Sequence, residues 1–268
     1  MRDRNIIAIT NQKGGVGKTT TAINLGAALV EIGQRVLIVD LDPQGNASTG
    51  LGWNAEARGN TTYDLLLEDT PLADVTVPTE VEHLLLAPAT LDLASVDVQL
   101  VADPRRTHRL RDRLRERAAA TLDVDYVLID CPPSLNLLTI NALVAAHSAL
   151  VPLQSEFFAL EGLSQLMLTV REIRREANPA LRIEGVVLTM YDRRNRLSLQ
   201  VEADARETLG DLVFETVIPR NVRLGEAPSH GMPVLHYDSG SQGSLAYRAL
   251  AMELARRHEA ALEEEGAA

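Results

Sequence analysis

Two lysines and three glycines lie together near the start of the chain, in the segment 11–20. Lys13 and Lys18 are the only lysines, and the other 24 of the 26 Lys and Arg residues are arginines. Lysine carries a compact ammonium on a flexible stem, whereas arginine carries a broad planar fork. Because arginine is used everywhere else, two lysines five residues apart indicate two positions that need a compact positive charge.

The same segment has the composition of a phosphate-binding loop. It follows an apolar run typical of a strand and precedes a helical pattern. Gly14, Gly15 and Gly17 allow the backbone to approach a polyphosphate without a Cβ clash, and the amides at a helix N-terminus attract anions. The usual pattern places a glycine six residues before Lys18, where this chain has Gln12. The standard pattern is therefore not met, although its physical elements are present.

The side chains of this loop match the needs of a nucleoside triphosphate with Mg²⁺. Lys18 is expected to bridge the β- and γ-phosphates, and Thr19 to place its hydroxyl on the metal. The three glycines, Val16 and Thr20 complete the predicted nucleotide-binding loop. Lys13, at the start of the loop, is either a solvated lysine or a second phosphate ligand for a nucleotide bound elsewhere.

Strand-like and helix-like segments alternate along the whole chain, which predicts an α/β fold with one doubly wound, mostly parallel sheet and helices on both faces. The predicted strands are 5–10, 36–39, 84–86, 126–129, 149–153, 183–190 and 213–218. The predicted helices are 18–32, 105–118, 135–147, 159–176, 197–209 and 243–262, and 41–61 is predicted as a loop. We expect a single domain over residues 1–268, with a flexible acidic tail from about residue 263.

Two aspartates each end a predicted buried strand, at the sheet edge where ligands bind in open α/β folds. A carboxylate at that edge holds Mg²⁺ directly or through its waters. One such residue could equally be a turn or capping aspartate, but Asp40 and Asp130 together, beside the phosphate loop, favour a metal site with Thr19. Cys131 is the only cysteine, so a small apolar role is favoured over a redox thiol or cluster ligand.

Composition excludes several classes of protein. Charged residues make up 24 % and hydrophobic residues 46 % of the chain, as in ordinary globular proteins, so a disordered, collagen-like or coiled-coil chain is excluded. The net charge of −11 argues against a protein that binds nucleic acid or anionic lipid simply as a polycation. The sequence shows no signal peptide and no membrane-spanning apolar run, so a cytoplasmic protein is expected.

Four segments together resemble the deviant Walker ATPases and, among them, the ParA/Soj chromosome- and plasmid-partitioning family. They are the segments 13–20, 40–46, 129–134 and 218–231. The resemblance extends from residue 5 to about residue 255 and implies ATP and Mg²⁺ as cofactors, with weak intrinsic ATPase activity.

The resemblance also implies roles for individual residues. Asp42 would orient the water that attacks the γ-phosphate, although it could be only an Asp-Pro turn residue. Lys13 would reach the nucleotide of the partner subunit in an ATP-dependent homodimer that sandwiches two nucleotides. Pro219 and Asn221 would contact the adenine, although Pro219 could simply end a strand.

Two partners follow from the resemblance alone: non-specific double-stranded DNA, hence association with the nucleoid, and a ParB-type centromere-binding protein that stimulates hydrolysis and release. The favoured DNA contacts are Arg193, Arg194, Arg196, Arg220 and Arg223. Arg220 lies between Pro219 and Asn221, so it could instead have a structural role or a role beside the nucleotide. A third arginine group, between residues 105 and 117, is interspersed with acids and is interpreted as a solvated helix face. Aromatic residues are only 3 %, so contacts to DNA phosphates should dominate over base stacking.

Other functions remain open at this point. A MinD-like or cargo-positioning ATPase, a P-loop metabolic ligase and a nucleotide-dependent scaffold would carry the same phosphate loop. The acidic C-terminal segment disfavours a membrane partner, because a membrane-targeting helix would be basic and amphipathic.

Overall fold

One central sheet contains all the strands in the described parts of the chain, which are residues 4–116, 119–156 and 159–267 of this computed structural model. Its strands are β1 (Asn5–Ile9), β2 (Val36–Asp40), β3 (Val77–Pro78), β4 (Leu84–Ala87), β5 (Tyr126–Asp130), β6 (Ser148–Gln154) and β7 (Arg182–Thr189). Their order in the sheet is β3-β4-β2-β5-β1-β6-β7, and only the β3–β4 pair is antiparallel. The predicted mostly parallel α/β fold is confirmed.

Helices of very different length connect these strands. They are α1 (Lys18–Glu31), α2 (Asn46–Gly50), α3 (Thr62–Leu67), α4 (Leu72–Val75), α5 (Val96–Gln99), α6 (Arg109–Arg115), α7 (Leu137–Ala145), α8 (Ala159–Glu176), α9 (Arg196–Leu209), α10 (Val222–Glu226), α11 (Val234–Tyr237) and α12 (Gln242–Ala267). The last helix continues five residues past its predicted end at 262, while the flexibility of the tail stays a prediction. No helix in the described parts is both long and apolar enough to cross a membrane.

The sheet has a hydrophobic core on each face, which explains why its central strands are apolar along most of their length, on both faces. Successive side chains of a strand point to opposite faces. Ile7 and Ile9 of β1 therefore join the core that contains α1 and α12. Ile6 and Ala8 join the other core, with α6 and α7. Helices cover both faces, as the continuous apolar runs predict.

The predicted strand 213–218 is wrong. That segment follows β7 only through isolated bridges near its two ends. Between them, the N–H groups of Glu215 and Thr216 donate to the carboxylate of Glu253 on α12, at 2.8 and 2.9 Å. A side chain from a distant helix thus takes the donors that a strand would have used.

Two further predictions differ from the structure in extent. The segment 41–61, predicted as a loop, contains α2 and a 3₁₀ turn at 55–57. The helix predicted over 105–118 is shorter, because Asp103 accepts the N–H of Arg105 (2.8 Å) in a turn and the backbone becomes extended at Glu116. Arg117 and Ala118 lie outside the described residues.

A buried polar network joins the sheet to α12 at the end opposite the glycine-rich loop. Ser148 Oγ donates to the Glu184 carboxylate at 2.5 Å, and His258 Nε2 lies 2.9 Å from the same carboxylate. The other ring nitrogen of His258 lies 3.0 Å from the Tyr126 hydroxyl. Burial opposes ionisation of Glu184, but His258, followed by Ser148 and Arg182, lowers the pKa of this carboxyl below its ordinary value.

The Glu184 network predicts a specific pH dependence of stability. The folded-state pKa lies below the ordinary value of 4.5, so the stabilisation is complete above that pH and is lost as the pH falls through the folded pKa. We expect the free energy of unfolding to fall more steeply in the wild type than in Glu184→Gln between about pH 5 and pH 3. Urea unfolding followed by circular dichroism measures both slopes, with the exposed Glu56→Gln as control. Equal slopes in wild type and Glu184→Gln would contradict this interpretation.

Candidate functional site

The predicted phosphate-binding loop, residues 10–17 and here called the glycine-rich loop, connects β1 to α1 at the carboxyl edge of the sheet. Gly15 and Gly17 have φ of +74° and +88°, a region that side chains with a Cβ rarely adopt. Gly17 occupies the N-cap position of α1, and no side chain caps this helix end. The first amides of a helix lack partners within the helix, so this end of α1 presents N–H donors and a positive dipole to an anion.

Side-chain contacts at both ends of the loop hold it in place. Lys18 Nζ donates to the carbonyl oxygen of Lys13 at 3.0 Å, so its ammonium folds back over the loop. Thr189 Oγ1, at the end of β7, donates to the carbonyl oxygen of Val16 at 2.8 Å. The loop is thus held by the side chain of Lys18, which follows it, and by a side chain at the end of β7.

Asp130 lies next to this loop with an unpartnered, fully buried carboxyl group. Among the described residues neither of its oxygens accepts a hydrogen bond of normal geometry. Burial, and then the nearby carboxyl of Asp40, raise the pKa of Asp130 well above its ordinary value, while the Thr19 hydroxyl and the Lys18 ammonium oppose this shift. A buried carboxyl with no hydrogen bond of normal geometry, beside a threonine hydroxyl, fits one side of a hydrated Mg²⁺ site.

Asp40, the second strand-ending aspartate, already has hydrogen-bond donors. Its Oδ2 accepts from the Ser48 N–H (2.9 Å) and hydroxyl (2.7 Å), and its Oδ1 accepts from the Asp42 N–H (3.1 Å). Burial raises the pKa of Asp40 to about 6, and the bonds from Ser48 limit the rise. Asp40 therefore organises the following loop as well as facing the site.

Asp42 lies at the start of that loop and is only 7 % exposed. Its Oδ1 accepts the N–H of Gln44 at 2.9 Å, and its carbonyl oxygen accepts the N–H of Gly45 at 2.8 Å. The turn predicted for this aspartate is therefore present. Its carboxylate is also close enough to Lys18 to favour the charged ammonium, so the turn does not remove Asp42 from the surroundings of the glycine-rich loop.

The ammonium of Lys13 contacts a residue that lies far along the chain, outside the glycine-rich loop. It forms an ion pair with the carboxylate of Glu156, just after β6, and its side chain is 40 % exposed. The backbone N–H of Lys13 donates to Asn11 Oδ1 at 3.0 Å. The two lysines therefore have different surroundings: Lys18 is buried over the loop, and Lys13 lies at the surface.

A cavity of about 210 Å³ adjoins the glycine-rich loop. Pro219 and Asn221 line it, together with Gly17, Thr20 and Tyr247. These residues are about two hundred positions apart in sequence, yet the fold brings both predicted adenine contacts beside the predicted phosphate site. The mixed apolar and polar lining suits a small planar ring.

The predicted DNA contacts divide into two groups in the structure. Arg194 donates to both carboxylate oxygens of Asp192 at 3.0 Å, and Arg223 pairs with Glu226 (2.7 Å) and Asp238 (3.2 Å). Arginines that are paired with acids in this way contribute less to the electrostatic attraction of an external anion.

Arg193, Arg196 and Arg220 are exposed, and within the described chain no carboxylate forms an ion pair with them. Arg193 and Arg220 line the same open groove of about 690 Å³. The three unpaired guanidinium groups are therefore available to an external anion.

The third arginine group is largely neutralised within the protein. Arg109 pairs with Asp69 and Asp103, and Arg113 pairs with Asp69 and Glu116. The interpretation of α6 as a self-paired, partly solvated face agrees with these contacts, except for Arg117, which lies outside the described residues.

The residues available to a metal are carboxylates and hydroxyls rather than thiols. In the described parts of the chain no three His, Cys, Asp or Glu side chains converge as metal ligands. Burial and the nearby Asp130 raise the pKa of the Cys131 thiol, which disfavours a thiolate. Mg²⁺ typically takes one or two carboxylates and completes its shell with waters and phosphates, which Asp130, Asp40 and Thr19 allow.

The chain is similar to known proteins over nearly its whole length. A family model described as an AAA domain matches residues 4–183. The chromosome partitioning protein ParA of Caulobacter vibrioides is 57 % identical over 252 residues, covering 94 % of each chain. The sporulation initiation inhibitor protein Soj of Bacillus subtilis is 52 % identical over 250 residues, covering 93 % of this chain and 98 % of Soj.

The chain belongs to the ParA/Soj family of partitioning ATPases. A solved structure, described as cobyrinic acid a,c-diamide synthase from Mycobacterium smegmatis with bound ADP and magnesium, has a TM-score of 0.82 and 37 % identity over 96 % of each chain. This neighbour is less similar in sequence than the ParA and Soj relatives. Family membership confirms the resemblance inferred from the motifs and identifies the domain as a P-loop nucleotide-binding ATPase domain of the ParA/Soj type.

Sequence reasoning missed several residues that position the ParA/Soj-type site. Ser48 holds the Asp40 carboxylate, Thr189 braces the loop, and Glu156 binds Lys13. Each lies far along the chain from its partner or inside a polar stretch typical of a loop. Only Ser48, eight residues after Asp40, lies close enough in sequence to have been suspected.

The unpartnered carboxyl of Asp130 predicts a stabilising substitution in nucleotide-free protein. A buried carboxyl with a raised pKa costs stability as the pH rises from its unfolded pKa through its folded pKa. We expect Asp130→Asn to raise Tm, by about 2–4 °C for each kcal/mol relieved, and more at pH 8 than at about pH 5. Differential scanning fluorimetry without nucleotide or metal measures the shift, and the exposed Asp92→Asn is the control. A lower Tm for Asp130→Asn at both pH values would contradict the assignment.

Proposed function

We propose that this chain is an ATP-dependent DNA-partitioning ATPase. ATP and Mg²⁺ bind at the glycine-rich loop and promote a homodimer with two sandwiched nucleotides. The dimer binds double-stranded DNA without sequence preference, and weak hydrolysis, stimulated by a ParB-type centromere-binding protein, releases it. The observation that carries the proposal is the unpartnered Asp130 carboxyl beside Lys18 and Thr19, at the amide-rich start of α1.

Each residue near the loop has a task in this proposal. The loop amides of Gly14–Thr20 and the Lys18 ammonium hold the polyphosphate. Thr19, Asp40 and Asp130 would hold Mg²⁺, directly or through waters, and the bound metal would neutralise phosphate charge. Pro219 and Asn221 line the cavity that takes the adenine.

Hydrolysis needs a positioned water more than a strong base. Asp42 provides this positioning, because its carboxylate is buried at the end of a hydrogen-bonded turn. One of its oxygens accepts the Gln44 N–H, which fixes the orientation of the carboxylate. The remaining acceptor sites of the carboxylate are enough to hold one water.

Lys13 is the residue that crosses to the partner subunit. Its side chain is 40 % exposed, and among the described contacts its ammonium is held by Glu156. Leaving Glu156 costs little, because both side chains are substantially exposed and such surface pairs contribute about 0–1 kcal/mol. A second copy bound to nucleotide offers the ammonium a more highly charged partner.

Lys13 and Lys18 therefore predict different defects. Lys18→Ala should abolish ATP-dependent dimerisation, DNA binding and hydrolysis together. Lys13→Ala should retain nucleotide binding but lose the dimer and the hydrolysis that depends on it. Fluorescent-nucleotide titration measures nucleotide binding, light scattering measures dimerisation, and phosphate release measures hydrolysis. The surface variant Arg256→Ala is the control. If Lys13→Ala dimerises and hydrolyses ATP normally, Lys13 is only a solvated lysine and its proposed role at the partner subunit is wrong.

The DNA surface consists of the exposed and unpaired Arg193, Arg196 and Arg220. An acidic protein binds DNA when a local patch faces the phosphates, whatever its total charge. A dimer doubles the patch, so ATP-driven dimerisation strengthens DNA binding. Arg194 and Arg223, which are held by acids, contribute less.

The division between paired and unpaired arginines gives a quantitative test. With ATP and Mg²⁺, DNA affinity should fall steeply across a salt series, and Arg193→Ala and Arg220→Ala should each lower the salt slope by about 1 for every phosphate that the variant no longer neutralises. Arg223→Ala is the matched control and should change affinity and slope little. Fluorescence anisotropy with two unrelated duplexes measures affinity and sequence preference. Equal reductions in all three variants, or binding that is independent of ATP, would contradict this surface.

The metabolic ligase is the second candidate, because the Mycobacterium smegmatis structure shares the fold at 37 % identity. The higher identity to ParA and Soj favours partitioning. Turnover that requires a small-molecule cosubstrate and is insensitive to DNA would favour the ligase. ATP-dependent sedimentation with liposomes instead of DNA would favour a MinD-like or cargo-positioning ATPase.

A nucleoid-associated cytoplasmic location follows only from the DNA-binding proposal.

A further inference from the structure

One arginine holds together the loop that carries Asp42. Arg58 is half-buried and lies outside the family motifs. Its Nη2 donates to the carbonyl oxygens of Gly45 (3.2 Å) and Trp53 (2.8 Å) and to Thr49 Oγ1 (2.8 Å). Its Nε donates to the same Trp53 carbonyl at 3.0 Å. The guanidinium thus joins the two ends of the segment 45–53.

The remaining nitrogen of Arg58 connects this loop to the sheet. Nη1 donates to the carbonyl oxygen of Ala89, just after β4, at 2.6 Å. The N–H of Ala89 donates to Ser48 Oγ at 3.0 Å, and that hydroxyl donates to Asp40 Oδ2 at 2.7 Å. Arg58 is therefore linked to the Asp40 carboxylate through the backbone of Ala89 and the hydroxyl of Ser48.

The turn after Asp42 is shaped to receive this guanidinium. Gly45 has φ of +62°, and a Cβ at this position would lie 2.2 Å from Arg58 Nη1 and 3.1 Å from the Ala89 carbonyl oxygen. The N–H of Gly45 donates to the Asp42 carbonyl oxygen at 2.8 Å. Only one hydrogen-bonded turn separates Arg58 from Asp42, so we expect a shift of Gly45 to shift Asp42 as well.

We propose that Arg58 is a positioning residue for ATP hydrolysis, which fixes the Asp42 turn relative to Asp40. This role rests on the proposed ATPase function. All the described hydrogen bonds of Arg58 go to the segment 45–53 and to Ala89, and none goes to the glycine-rich loop. Its removal should therefore reduce turnover and leave nucleotide affinity nearly unchanged.

Kinetics of Arg58 variants separate positioning from folding. In Arg58→Ala we expect kcat for ATP hydrolysis to fall roughly 10- to 100-fold with little change in KM, as when other supporting hydrogen bonds around a site are removed. Arg58→Lys should recover part of kcat, and millimolar guanidinium chloride should recover part of it in Arg58→Ala. The matched control is Arg248→Ala, since Arg248 binds Glu31 and Ser239 away from the site with a comparable number of hydrogen bonds.

The only tryptophan of the chain provides a readout that needs no turnover. Trp53 accepts two of the Arg58 hydrogen bonds, so acrylamide quenching of its fluorescence should increase in Arg58→Ala and decrease again with guanidinium. Arg248→Ala should quench like the wild type.

The outcomes separate this role from the proposed function. Absence of ATP hydrolysis in the wild type contradicts the proposed function, and with it the role of Arg58. A hydrolysing wild type with unchanged kcat and quenching in Arg58→Ala overturns the role of Arg58 alone. The role is also overturned if kcat and Tm fall together in Arg58→Ala and Arg58→Lys without guanidinium rescue.

Discussion

The site depends on keeping two carboxyl groups and one ammonium in a place with little water. Asp40 and Asp130 end adjacent strands in the middle of the sheet, and burial raises the pKa of both carboxyls. The same burial lowers the pKa of the Lys18 ammonium, and the carboxylates oppose that shift. None of the three groups has its charge fully satisfied by the other two. A divalent cation together with a polyphosphate complements both signs of charge at once.

The sheet keeps these groups close because it is rigid on both faces. Parallel strands deliver their carboxyl ends to one edge, and a separate core on each face fixes the strands. The loops at that edge are then held by side chains rather than by further strands. Thr189 holds the glycine-rich loop, Ser48 holds the Asp40 carboxylate, and Arg58 holds the turn after Asp42. Motion at this edge therefore requires the breaking of a few identifiable hydrogen bonds.

Charge pairing explains how an acidic protein with many arginines is organised. Arg109 and Arg113 on α6 are held by nearby acids, so a dense run of arginines contributes little outward charge. Sparser arginines, such as Arg193 and Arg220, remain exposed and share one groove. The number of arginines in a segment is thus a poor guide to the field outside the protein, because that field depends on which acids lie next to them.

The amino-acid sequence by itself determined the α/β class, the central strands and the phosphate loop with its neighbouring aspartates. These features depend on local patterns: continuous apolar runs, glycines before a helix, and acids at strand ends. Tertiary structure alone decided that Glu253 replaces a strand at 213–218 and that Glu156 holds Lys13. It also decided which arginines remain unpaired. In each of these cases the interacting groups are distant in sequence, and a local pattern contains no information about which distant side chain will reach a given donor or charge.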